Sequence, residues 1–200
     1  MNPWYRFEYK IVEALTLGVW HCRPEGRENV PLTGGVLAIS NHVSFADPTT
    51  VGWAMGRETQ FLARSSLFKP PVMDKLLPLC NAHPVNRDAA DVKGIRLILS
   101  MLKAGELVLM FPEGTRSPDG GLREAETGAA MIACKAQVPI LPCRIFGAFA
   151  AYPRTRKFPG YAPMRVRIGE PFRPPEGRRF TKEQYEELAR RMTAEIGKLE

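Results

Sequence analysis

Two short runs carry the residues from which chemistry could be built. The first, Ser40-Asn41-His42-Val43-Ser44-Phe45-Ala46-Asp47-Pro48, follows the apolar run Val36–Ile39. An imidazole and a carboxylate therefore leave a strand end together, and in open α/β sheets such ends are where ligands bind. A general base needs a neutral imidazole held in one tautomer, and a nearby carboxylate can accept the far N–H and stabilise the imidazolium once formed. His42 and Asp47 have the types and spacing for both tasks; the same types also serve as capping and surface groups. The second run, Pro112-Glu113-Gly114-Thr115-Arg116-Ser117, follows the apolar strand Leu107–Phe111. It is a tight turn that offers backbone N–H groups, two hydroxyls and a guanidinium together. That set suits a phosphate, because Arg presents a planar fork to its oxygens and glycine lets the backbone come close. The alternative is an ordinary glycine turn with a local ion pair between Glu113 and Arg116. No Walker lysine motif, GxGxxG or GxSxG occurs, which argues against nucleotide hydrolysis, a Rossmann cofactor or a serine-nucleophile esterase.

Asn41 to Asp47 resembles the NHxxxxD block, and Phe111 to Ser117 the FPEGTRS block, of the glycerolipid acyltransferases typified by 1-acylglycerol-3-phosphate acyltransferase. Between them, Asn81-Ala82-His83-Pro84-Val85-Asn86-Arg87 resembles a family block that ends in Arg, although Asn81 stands where glycine is usual and His83 lies inside it. Val138-Pro139-Ile140-Leu141-Pro142 is similar to a later proline block. The resemblance implies that His42 deprotonates the free hydroxyl of a lysophospholipid, which attacks the thioester carbonyl of an acyl donor, with Asp47 orienting His42. It implies that Arg87, Glu113, Gly114, Thr115 and Arg116 bind the glycerol phosphate and that the block around Pro139 supports the site wall and acyl pocket. Lysophosphatidic acid is the expected acceptor and phosphatidic acid the product. Acyl-CoA or acyl-carrier protein is the expected co-substrate, with no bound cofactor and no metal, since a thioester is already activated. Other lysolipid acceptors, such as a lyso-ornithine lipid, stay open, as do an acyl-enzyme on Ser44 and a non-catalytic membrane or carrier-protein binding module. His83 is either a second functional histidine or a polar residue at a strand edge.

Positioning these runs requires a scaffold, and the periodicities supply one. Val36–Ile39, Gln60–Ala63, His83–Val85, Leu107–Phe111, Val138–Ile145 and Met164–Ile168 read as strands. Helical patterns fall between them: the stripe Val92, Ile95, Leu99, Leu102 ends at Gly105, Glu124–Gln137 follows, and Thr181 with Gln184 forms a capping box before a closing helix. The fold expected is α/β, a single domain with a mostly parallel mixed sheet flanked by helices. Residues 1–32 are assigned to an N-terminal amphipathic helix and linker, and 33–200 to the acyltransferase domain.

The helix expected over Trp4–Trp20 carries Trp4, Phe7, Ile11, Leu15 and Val19 at spacings of three and four, with Arg6, Lys10 and Glu13 opposite. Its aromatics Trp4, Tyr5, Phe7 and Tyr9 wrap too much of the circumference for one core-facing stripe, so it is expected to lie at a membrane–water interface, with packing on the domain core as the alternative. The chain carries a net charge of +7, and residues 151–180 hold eight basic against two acidic residues, interleaved with aromatics. An anionic lipid surface or an acidic carrier protein fits that segment, and a solvated basic rim without a partner is the alternative; with no recognition motif, nucleic acid is not expected as a partner. No apolar run reaches the ~18–20 residues of a membrane span and no signal-peptide layout is read. The expected location is the cytoplasmic face of a membrane, peripheral or monotopic. The four cysteines show no CxxC spacing and read as small core hydrophobes.

Overall fold

Side chains alternate across a strand, and a strand covered on both faces reads as an unbroken apolar run. Val36–Ser40, the central strand of the computed structural model, is buried at every position. Val36 and Ala38 join one core and Leu37 and Ile39 the other. The structure describes residues 3–86 and 92–200. In chain order the strands are β1 (Arg23–Glu25), β2 (Val36–Ser40), β3 (Thr59–Arg64), β4 (Ala82–Val85), β5 (Leu107–Met110), β6 (Ile140–Phe146) and β7 (Arg165–Ile168). The helices are α1 (Pro3–Gly18), α2 (Asp47–Met55), α3 (Pro71–Leu79), α4 (Val92–Lys103), α5 (Thr127–Ala136), α6 (Ala148–Ala151) and α7 (Lys182–Gly197).

The strands form one sheet in the order β1-β7-β6-β2-β5-β3-β4. Each neighbouring pair is parallel except β6 with β7. Helices α1, α2 and α6 cover one face and α4, α5 and α7 the other. The chain leaves β2 into α2 on one face, and leaves the adjacent β5 toward α5 on the other. Connections that diverge from neighbouring strand ends open a crevice there. Pro84 is accommodated because β4 is an edge strand. Thr181 and Gln184 form the capping box of α7.

Helix α2 has no counterpart in the sequence reading. Thr50 to Met55 are all buried, so no polar stripe marks its period. Residues 1–32 contribute more than a helix and linker, since β1 joins β7 in the sheet. Helix α1 divides its faces. Tyr5, Tyr9, Val12 and Thr16 turn inward, with the Thr59 N–H donating to the Tyr5 hydroxyl (3.2 Å) and the Tyr9 hydroxyl to the Trp53 carbonyl (3.1 Å). Trp4 and Phe7 are 61% and 62% exposed, and Ile11, Leu15 and Val19 also face out. Among the described residues no helix is long and apolar enough to cross a membrane. Cys22, Cys134 and Cys143 are buried and Cys80 half-buried, all free.

The basic segment divides as well. Arg154, Arg156, Lys157 and Phe158 lie on an exposed loop. Tyr152 of this loop meets Phe45 at 5.2 Å between rings. Arg173 follows Phe172, which pairs with Ile140 at the start of β6, the opposite end of the sheet from His42.

Candidate active site

Burial at the C-terminal end of β2 forces the chain to find partners for its last polar groups. Asn41 solves this for one side: its amide donates to the Ile145 carbonyl (3.1 Å) and accepts from the Ile145 N–H (2.8 Å), bridging to β6. His42 follows, its side chain 12% exposed. Asp47 opens α2, where the helix dipole favours an acidic group, and its carboxylate is fully buried. One oxygen, Oδ2, lies 2.8 Å from His42 Nδ1 and accepts the Val43 and Ser44 N–H groups, each at 2.6 Å. Burial pushes the Asp47 carboxyl up from its usual range, while His42 and these N–H groups pull it back. An oxygen surrounded by three donors favours the Nδ1–H tautomer of His42, which leaves Nε2 with its lone pair.

The loop after β5 closes over the same histidine. Phe111 stacks on the imidazole, with ring centroids 4.1 Å apart and planes at 20°. Gly114 has φ +70°, and a Cβ there would sit 2.4 Å from the Glu126 carboxylate, so glycine is required. Glu113 is 3% exposed and accepts the His42 main-chain N–H at 3.2 Å. Its carboxyl is pushed up to about 7 by burial, against the pull of the His42 and Arg123 main-chain N–H groups. The Ser117 N–H donates to the His42 carbonyl at 2.7 Å. Arg116 lays its guanidinium over the Phe45 ring, with its central carbon 3.5 Å from the ring centroid. Thr115 is half-buried beside it. An apolar recess of about 160 Å³ opens between α4 and α5, lined by Ile95, Met110, Phe111, Gly114, Met131 and Ile132 among others.

His42, Asp47, Glu113, Gly114, Thr115 and Arg116 therefore gather at the ends of β2 and β5. Arg87 lies outside the described residues. Ser44 is unsuited to act as a nucleophile, because its buried hydroxyl donates to the Tyr152 carbonyl (2.8 Å) and accepts the Ala46 N–H (3.1 Å). His83 sits on the edge pair β3–β4 with Nε2 2.8 Å from Gln60 Oε1, and burial lowers its pKa. Its place in the fold is thus a strand edge. The proline block runs along β2: Pro139 accepts the Leu37 N–H at the start of β6, opposite the His42 end, while Pro142 pairs with Ile39, nearer to it. Asn41, Phe45 and Phe111 lie within the two runs, but their residue types alone give no sign of the tasks the fold assigns them. Tyr152 had no local signal, since it reaches Ser44 and Phe45 only through the fold. Among the described residues no group of three or more His, Cys, Asp or Glu is placed to hold a metal ion.

The chain has relatives of known sequence and structure. The family model described as Acyltransferase matches residues 21–146. The chain belongs to this acyltransferase family. It is 32% identical over 126 residues to the chloroplastic 1-acyl-sn-glycerol-3-phosphate acyltransferase BAT2 of Brassica napus, covering 62% of this chain and 36% of the relative. The chain thus spans about a third of the length of its plant chloroplast relatives. With the 1-acyl-sn-glycerol-3-phosphate acyltransferase of Bacillus subtilis (strain 168) it shares 29% identity over 164 residues, 81% of this chain and 77% of that one. The crystal structure of the 1-acyl-sn-glycerophosphate (LPA) acyltransferase PlsC from Thermotoga maritima superposes with a TM-score of 0.76 at 27% identity, covering 96% of this chain and 79% of that one. The acyltransferase fold of this chain is thus the one found around that crystallised enzyme.

Proposed function

We propose that this acyltransferase moves a fatty acyl group from an acyl thioester to the free hydroxyl of lysophosphatidic acid, giving phosphatidic acid. The observation that carries the reading is the His42–Asp47 contact at 2.8 Å beside the Arg116 loop. Nε2 of His42 accepts the acceptor's hydroxyl proton as the oxygen attacks the thioester carbonyl. The imidazolium is held by Asp47 while the tetrahedral intermediate forms, and its proton passes to the departing thiolate. Ester and thiol are the products, so atoms balance without a protein nucleophile. Arg116 takes the phosphate of the acceptor, and the recess behind Phe111 takes part of the donor's chain. Acyl-CoA and acyl-carrier protein both satisfy this chemistry. Incubating the pure chain with mixed lysolipids and each donor, with products identified by mass spectrometry, tests it: phosphatidic acid is the expected main product, and acylation of another lysolipid alone refutes the assigned acceptor.

A membrane-borne acceptor requires attachment, and the reading places the chain peripherally on the cytoplasmic face. The outward stripe of α1 supplies apolar contact, and Arg154, Arg156 and Lys157 supply about 1 kcal/mol each at an anionic surface. Replacing Trp4, Phe7, Ile11 and Leu15 by serine leaves the inward Tyr5 and Thr16 in place, which deletion of the helix would not. The parent is expected to sediment with anionic vesicles even in high salt, and the serine variant only in low salt. Equal binding of both in high salt refutes the assignment of the helix.

A further inference from the structure

The resemblance gives Glu113 to the acceptor, but the geometry points elsewhere. Its carboxylate is turned inward and 3% exposed, and it takes the His42 N–H at 3.2 Å. Two residues past Thr115, Ser117 takes hold of the other side of the same residue, donating its N–H to the His42 carbonyl at 2.7 Å. The main chain of His42 is thus gripped at both polar groups by the loop after β5. Asn41 fixes the preceding residue to β6, and Asp47 fixes the next two N–H groups. Without Glu113 the His42 N–H is left unpaired at a buried strand end, which a folded chain avoids by shifting. Proton transfer depends steeply on geometry, and a displacement of about 1 Å at the reacting group costs about 100-fold.

We infer that Glu113 is a positioning residue, which sets His42 through its main-chain N–H and makes no contact with the acceptor's glycerol phosphate. The inference rests on His42 being the general base. A glutamate is suited to this span because its side chain reaches the His42 N–H from the loop of the neighbouring strand. The role requires a correctly placed oxygen, however, not a charge. Glutamine offers that oxygen; alanine and leucine do not.

The test has a turnover arm and a binding arm. With lysophosphatidic acid and an acyl thioester, Glu113→Ala is expected to lower kcat about 10- to 100-fold while the acceptor's KM stays within about twofold, and Glu113→Gln is expected to recover most of kcat. Should the alanine variant fail to fold, Glu113→Leu fills the buried volume and serves in its place. In a His42→Ala background, adding Glu113→Leu is expected to leave equilibrium binding of short-chain lysophosphatidic acid unchanged within about twofold. A tenfold loss of that binding, a raised acceptor KM with kcat retained, or a glutamine variant as impaired as alanine overturns the inference. Turnover by His42→Ala alone instead defeats the base assignment on which the inference rests, and the two failures are told apart by that single variant.

Discussion

Replacing Asp47 with Asn separates what this carboxylate does for the fold from what it does for His42. Oδ2 accepts from Val43 and Ser44 and contacts Nδ1, and an amide oxygen in the same place can accept the same three bonds. Bonds to a neutral oxygen are weaker, about 0.5–1.5 against 1.5–3 kcal/mol each, and the new amide NH2 falls where Oδ1 has no hydrogen-bond partner among the described residues. Opposing these losses, a buried charge is gone, and burial is the largest influence raising the Asp47 carboxyl's pKa. Stability should therefore stay within about 2 kcal/mol of the parent. Catalysis has no such offset. An imidazolium formed in the transition state loses an opposite charge whose nearest oxygen is 2.8 Å from Nδ1. At a charge separation of about 4 Å and an effective dielectric near 20 that attraction is about 4 kcal/mol, or about 10³-fold in rate. Urea midpoint and kcat measured in one buffer read both quantities. A kcat within tenfold of the parent, or a loss matched by the unfolded fraction, refutes the reasoning.

Arg116→Lys keeps the charge but loses the flat guanidinium over Phe45, so the acceptor's KM should rise by about 10- to 100-fold, roughly 1–3 kcal/mol. The donor's KM should not change, and an equal rise in both assigns Arg116 to the fold. Glu8 and Glu113 are each pushed up to about 7 by burial, so between pH ~4.5 and ~7 the native state holds protons that the unfolded chain releases, and stability falls as pH rises through that window. For Glu113 the rise from 4.5 to about 7 corresponds to at most roughly 3 kcal/mol. Glu113→Gln should flatten the urea midpoint between pH 5 and 8 accordingly, and an unchanged slope refutes the burial of that charge.

The two chemical runs were legible because their residue types are unusual at strand ends and their strands are unbroken apolar stretches. Periodicity found α4 and α7 for the same reason that it missed α2: an amphipathic helix displays its period, and a helix buried along most of its length does not. The stripe on α1 is apolar in the sequence, but which side packs is decided by the Tyr5 and Tyr9 hydroxyls, whose partners at Thr59 and Trp53 lie far along the chain. The loss of Ser44 as a nucleophile and the grip on His42 depend on main-chain groups of Tyr152 and Ser117. Main-chain hydrogen bonding leaves no residue-type signal, so only the fold reveals it. The proline block is distinctive in type, yet only the parallel register with β2 shows which of its residues stands where: Pro139 at the end far from His42, and Pro142 opposite Ile39.

The central claim is that His42 is the general base for acyl transfer to a lysolipid hydroxyl. The most direct measurement is the rate of phosphatidic acid formation by purified His42→Ala against the parent, with lysophosphatidic acid and acyl thioester both saturating and folding verified by the urea midpoint. Because the His42 side chain lies at the crevice and not within either apolar core, the variant should fold as the parent does and form no phosphatidic acid above the uncatalysed rate. A folded His42→Ala protein that retains more than about a tenth of the parent rate, a deficit of less than about 1.4 kcal/mol in the barrier, contradicts the account.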